Sequence, residues 1–274
     1  MRRAVHSIVG IAILLAAAVP CSAGIRYKAV TKTEVDTGRG NSTVEVDGWV
    51  SGDNAKVAFV QSSGNPILKK GAYMLTKNGG KTLYLVDPEE KTYSEFDLSA
   101  LLGTMGAVMN GMGPMLKIQF TDPKVEKISE GDGGTVLGLP TKHYKHKTSY
   151  SMTVKVFGMG NASDVVQEQD VWTTTSLVDP GLGAWLRADP PKTGNTEFDK
   201  LMASEMGRYS GFPLKMTTVS TTTQKKGNKQ QTTRQTMEVT QLDAKASVPD
   251  STFEIPAGYK ETQLEMPTTV PREQ

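Results

Sequence analysis

Side chains able to run a reaction are few in this 274-residue chain, and their spacing narrows what they could do. Two of its three histidines, His143 and His146, are the natural candidates for proton transfer or zinc binding. Residues three apart on a strand point to opposite faces, so this pair cannot close on one ion as two ligands on one helix face would. Both are expected to be solvated histidines at a sheet edge. Serine and threonine are plentiful, yet no Gly-x-Ser-x-Gly elbow occurs to activate one as a nucleophile. Asn41-Ser42-Thr43 and Asn161-Ala162-Ser163 match a glycosylation acceptor pattern short enough to arise by chance. A two-carboxylate enzyme stays open in principle because such pairs assemble across space, but no pattern points to one. The expectation is a protein that is not an enzyme and holds no metal and no cofactor.

Methionine is the unusual resource. Met105, Met109, Met112 and Met115 crowd one glycine-rich stretch, and Met202 and Met206 share a later segment. Flexible, polarizable thioethers suit a surface that accepts apolar ligands of varied shape, and they also fill irregular cores between helix and sheet. Leu98, Leu101, Leu102, Met105, Val108, Met109 and Met112 fall on one helical stripe over residues 97–113, with Asp97 placed as N-cap and Pro114 as the stop. Gly103, Gly106, Gly111 and Gly113 each cost about 1 kcal/mol relative to alanine, so a mobile or broken helix is expected there. Phe198, Leu201, Met202, Met206 and Tyr209 repeat at helical intervals over 196–208, where Thr196 and Asp199 resemble a capping box. The expected ligand-binding residues are Leu102, Met105, Met109, Met112, Phe198, Leu201 and Met202.

The elements that must position these segments are strands. Period-two alternation between turn signals dominates the chain. It predicts strands at 25–35, 43–50, 55–61, 73–77, 81–86 and 92–96. Later ones follow at 117–120, 124–130, 141–157, 165–176, 213–223 and 232–242. Asn78-Gly79-Gly80 marks the clearest hairpin, and Pro88 presets φ in the Asp87–Glu90 turn. Threonines at 217, 218, 221, 222, 223, 232, 233 and 236 keep the last hairpin extended and make one of its faces polar.

Residues 1–23 read as a secretory signal peptide. Arg2 and Arg3 precede an apolar run from Ile8 to Val19, and Cys21-Ser22-Ala23 offers small residues for cleavage after Ala23. The run is short for a bilayer span, and lipidation at Cys21 is the minor alternative, since Ala18 and Pro20 depart from its usual pattern. Cleavage takes Arg2 and Arg3 and leaves basic side chains equal to the 29 acidic ones. A chain so balanced lacks the basic excess that nucleic-acid binding needs. Without a thiol it must hold itself together by burial, for which its size suffices. The expected organisation is a signal peptide at 1–23, one domain at 24–261 and a disordered tail at 262–274, exported to the periplasm or beyond. No integral membrane segment is expected after cleavage.

Several motifs carry a resemblance. Lys81 to Tyr93 (KTLYLVDPEEKTY), Gly138 to Tyr144 (GLPTKHY), Val171 to Thr174 (VWTT), Gly211 to Lys215 (GFPLK) and Phe253 to Tyr259 (FEIPAGY) resemble a bacterial exported family of unknown function. That family is similar to the periplasmic carriers and outer-membrane receptors of lipoprotein sorting. The resemblance implies a mainly β fold: a strongly curved antiparallel sheet, an incomplete barrel, with two helices covering a concave face that holds acyl chains. The function expected is an exported binding protein that shelters a lipid or lipoprotein acyl chain between sheet and helices. The alternative is a structural or interaction module with a filled core and no ligand.

Overall fold

The computed structural model describes residues 21–63, 69–80, 82–97, 116–177, 196–205 and 207–263. The first predicted helix lies outside the described residues apart from Asp97, as do residues 1–20 and the tail from 264 onward.

Alternation in the sequence becomes one long sheet. Its strands are β1 (Cys21–Val35), β2 (Ser42–Ser51), β3 (Asn54–Ser62), β4 (Tyr73–Lys77), β5 (Thr82–Asp87), β6 (Thr92–Phe96), β7 (Leu116–Val136), β8 (Leu139–Val156), β9 (Met159–Thr174), β10 (Phe212–Gln224), β11 (Gln230–Pro249) and β12 (Lys260–Glu261). The order across the sheet is β12-β6-β5-β4-β3-β2-β1-β11-β10-β9-β8-β7. The sheet is open rather than closed into a barrel, with β12 and β7 at its two ends. Two antiparallel meanders meet where β1 pairs with β11.

Three differences from expectation have local causes. The antiparallel pattern breaks once, because the chain returns after β11 and lays β12 parallel to β6, with Lys260 N–H donating to Lys91 O and Thr262 N–H to Tyr93 O. The two short strands expected at 117–130 run as one β7, in which register shifts absorb Asp122, at φ 54°, and Pro123, which lacks a donor. An edge strand tolerates both. The second expected helix is shorter than 196–208: it forms α1 (Thr196–Glu205). It stops short of residue 208 because Gly207 adopts φ 78°, the left-handed conformation that ends helices.

The two faces of the sheet carry different cargo. One face buries Ile25, Tyr27, Ala29, Val50, Ala55, Leu214 and Val239 in a single cluster and bears α1 over β7 and β8. The opposite face is charged along its centre, where Arg26 and Lys28 flank Asp47 and Lys145 flanks Asp170. At its β3–β6 end that face holds a second cluster of Tyr73, Leu75, Val86, Ala246, Val248 and Phe253, roofed by Ile255 and Tyr259 as the chain travels to β12.

Candidate functional site

Register lines up the side chains on the helix-bearing face in rows across the strands. Val44, Thr31, Met237, Met216, Val171 and Tyr144 form one row from β2 to β8. Thr33, Gln235, Thr218, Gln169 and His146 form the next. Val44, Met237 and Met216 are half-buried, so the first row is an apolar stripe that retains exposed surface. The second row is polar and cross-linked. The Gln169 amide donates to Thr218 Oγ1 at 3.3 Å and to the Met216 sulfur at 3.4 Å.

Helix α1 sits over the β7 and β8 end of these rows. Glu197 and Asp199 suit its first turn, where the positive end of the helix dipole lies. Phe198 meets Phe120 at a tilt, with centroids 5.0 Å apart, and Phe120 in turn meets Tyr150 at 5.9 Å. Leu201 is buried and Met202 half-buried. Of the seven residues expected at the ligand site, Phe198, Leu201 and Met202 thus share one helix on the sheet. Leu102, Met105, Met109 and Met112 lie outside the described residues.

A buried polar knot closes the C-terminal end of the helix. The chain turns at Gly207 and sends the Arg208 side chain, 6% exposed, back under α1. Its guanidinium pairs with the Glu205 carboxylate, donates to Thr148 Oγ1 at 2.9 Å and to the Glu205 carbonyl at 3.0 Å. Thr148 donates to Glu205 Oε1 at 2.6 Å, so all three groups satisfy one another. Beside them the Tyr144 hydroxyl meets Ser210 Oγ at 3.2 Å. Sequence reasoning missed this knot. The available signal was Tyr144, His146, Thr148 and Tyr150 at alternate positions of one strand, which places four polar-tipped side chains on one face.

The two histidines do lie on opposite faces, but neither is at a sheet edge, because β7 flanks β8. His143 stacks on Trp172 at 4.4 Å, with Nε2 2.8 Å from Asp170. His146 is 3% exposed, and its Nδ1 has no hydrogen-bond partner among the described residues. Burial, then the nearby charges of Arg208 and Lys127, hold its pKa below the usual 6.5, against a weaker opposing pull from Glu130. A histidine with a depressed folded value carries no penalty above 6.5. As pH falls below that value, the unfolded chain takes up a proton that the folded chain refuses, and stability drops. Wild-type protein is therefore expected to lose thermal midpoint between pH 7 and pH 5 more steeply than His146→Phe. Parallel profiles for the two proteins would contradict this placement of the histidine.

Among the described residues, clefts of about 370 and 210 Å³ open on the sheet, one lined by Arg26, Tyr27, Lys28 and Gln241, the other by Asp122, Lys124, Tyr150 and Asp164. Neither is lined by Phe198, Leu201 or Met202. Among the described residues no group of His, Cys, Asp and Glu is arranged to hold a metal ion. No helix among them is long and apolar enough to cross a membrane.

Fold and site together define a mainly β protein whose open sheet seats a short amphipathic helix over mixed apolar and polar rows. The chain belongs to the family described as a domain of unknown function (DUF4412), which matches residues 41–259. That agrees with the family resemblance carried by its strand and turn motifs. Among solved structures the chain is similar to one described as an outer membrane lipoprotein-sorting protein domain from Vibrio parahaemolyticus. The two share 9% identity over 84% of this chain and 89% of that one, with a TM-score of 0.30. No curated protein matches the chain.

Proposed function

We propose that this is an exported, non-enzymatic binding protein that shelters an apolar ligand, a lipid or lipoprotein acyl chain, between its sheet and helix α1. The observation that carries this reading is the half-buried stripe of Val44, Met237 and Met216 on the face that bears the helix. Methionines paired directly across β10 and β11 give a deformable apolar floor. The hydroxyl and amide row beside it supplies a polar border, which suits an amphiphile better than a bare hydrocarbon. In this reading the sheet curves around the ligand, and the Leu102, Met105, Met109 and Met112 stripe belongs to the same site as Phe198, Leu201 and Met202. Export rests on the basic, apolar and small-residue order of residues 1–23.

A second reading, a structural or interaction module with a filled core, is favoured by the Arg208–Glu205–Thr148 knot, which ties the helix down. Uptake of a fluorescent fatty-acid probe separates the two. Burying an amide without a partner costs about 1–3 kcal/mol, so Met216→Gln combined with Met237→Gln is expected to weaken uptake by roughly tenfold or more. The sheet should stay folded, because both positions keep some solvent. No uptake by wild-type protein, or uptake untouched by the pair, assigns the filled-core reading instead.

A further inference from the structure

The turn between β8 and β9 departs from ordinary hairpin chemistry, and we propose that it is a docking tip for an anionic lipid surface. Phe157 and Gly158 occupy the turn with φ of 50° and 78°. A two-residue turn with both φ values positive prefers Asn-Gly, because a side chain other than Asn or Asp is crowded in the left-handed region. Phenylalanine there works against the turn. It is also 67% exposed, between Val156 at 48% and Met159 at 78%, so three large apolar side chains project from the last rung of the ladder.

The β7–β8 turn makes a useful contrast. Leu137 and Gly138 adopt the same backbone, with φ of 51° and 77°, but Val136 and Leu139 beside them pack against the main core cluster. That turn is tied to the interior. Among the described residues the β8–β9 tip has no such tie, since its apolar residues are exposed and contribute to neither core cluster.

Charge points to the partner. Lys155 immediately precedes the tip, and the β10–β11 turn brings Lys225, Lys226 and Lys229 to the same end of the sheet, where Lys225 N–H donates to Ala162 O at 2.8 Å. Lys225 is held by Asp164 at 3.1 Å, whereas no carboxylate among the described residues pairs with Lys226 or Lys229. Counting along the ladder, Phe157 stands two residues beyond Lys155 and four beyond Thr153, which pairs with Ala162 at the level of Lys225, roughly 7–13 Å at the usual strand rise. That reach matches the depth to which apolar side chains enter the headgroup and acyl boundary, with lysines left at the anionic surface. A protein groove would demand a shape complement to so prominent a spike. A fluid interface needs none.

The test is co-sedimentation of the full chain with vesicles of equal parts phosphatidylglycerol and phosphatidylethanolamine, beside vesicles of phosphatidylcholine alone. Binding is expected to the anionic vesicles, to weaken with salt, and to fall about tenfold in Phe157→Asn with Met159→Ser. Asparagine favours this turn, so the unfolding midpoint of that variant should not drop, and misfolding is not an escape. Lys226→Gln with Lys229→Gln should lose binding several-fold. Three results would overturn the proposal: no sedimentation of wild type with anionic vesicles at low salt, unchanged binding by the tip variant, or a wild-type dimer that the tip variant dissolves. These readouts are independent of fatty-acid uptake, so the tip and the ligand site stand or fall separately.

Discussion

Replacing Gly48 by alanine is expected to destabilise the protein by about 3 kcal/mol or more, a larger effect than most single substitutions bring. Gly48 lies directly across from Tyr27 on neighbouring strands, and the tyrosine ring folds over the bare α-carbon. A β-carbon at 48 would come closer to three carbons of the ring than van der Waals contact allows. The ring cannot swing aside cheaply. It is 8% exposed, meets Phe212 edge-on at 5.5 Å, and is buried deeply enough to push the phenol pKa up to about 12. Covering a strand glycine with a cross-strand aromatic is a known way to fix register, and here it fixes the register of β1, the strand that joins the two meanders. The thermal midpoint of Gly48→Ala should fall by roughly 10 °C. Tyr27→Leu should cost less by itself and restore part of the loss in the double variant, since the two side chains then share the space. Additive losses in that cycle would mean that the ring is not what excludes a side chain at 48.

Much of this sheet was legible because alternation and turn chemistry act locally. The β2–β3, β4–β5 and β5–β6 hairpins fall where Ser51–Asn54, Asn78–Gly80 and Asp87–Glu90 place them, within a residue or two at each end. Strand lengths were less legible. β11 runs past the expected end at Leu242, since Asp243 and Ala246 pair with Arg26 and Gly24 of β1, from which they are separated by most of the chain. β12 was missed altogether: two exposed residues carry no periodicity, and only their hydrogen bonds to β6 make them a strand.

The placement of part of the candidate site was legible for the same reason. Helical spacing found Phe198, Leu201 and Met202, since a helix records its buried side in its own sequence. Met216 and Met237 were hidden, because what matters about them is that they face each other across two strands, and only register creates that. His146 was read as solvated because histidine is often only partly buried and its strand was taken to lie at a sheet edge. β8 is instead an inner strand flanked by β7, and beside burial itself the charges that hold His146 neutral come from Arg208, far along the chain, and from Lys127 on β7.

Removing Arg208 is the second large effect expected, and it reads both stability and the state of the histidine. Arg208→Met keeps much of the apolar stem while deleting the charge, and it leaves the Glu205 carboxylate with only the Thr148 hydroxyl of the knot. Breaking a buried ion pair from one side costs about 3–5 kcal/mol; because Glu205 keeps 24% of its side chain exposed, a loss near about 2–3 kcal/mol is expected. Replacing both partners by apolar residues, Arg208→Met with Glu205→Leu, should recover most of it, since the desolvation of two charges is then no longer incurred. The single variant should also release His146 from one of the charges that keep it neutral, raising its pKa toward the ordinary value and flattening the fall in stability below pH 6.5. Chemical denaturation across pH, with the His146 ring followed by NMR, measures both effects in one series. An arginine that merely decorated the surface would change neither, and a stability loss without movement of the histidine resonance would separate the knot from the titration.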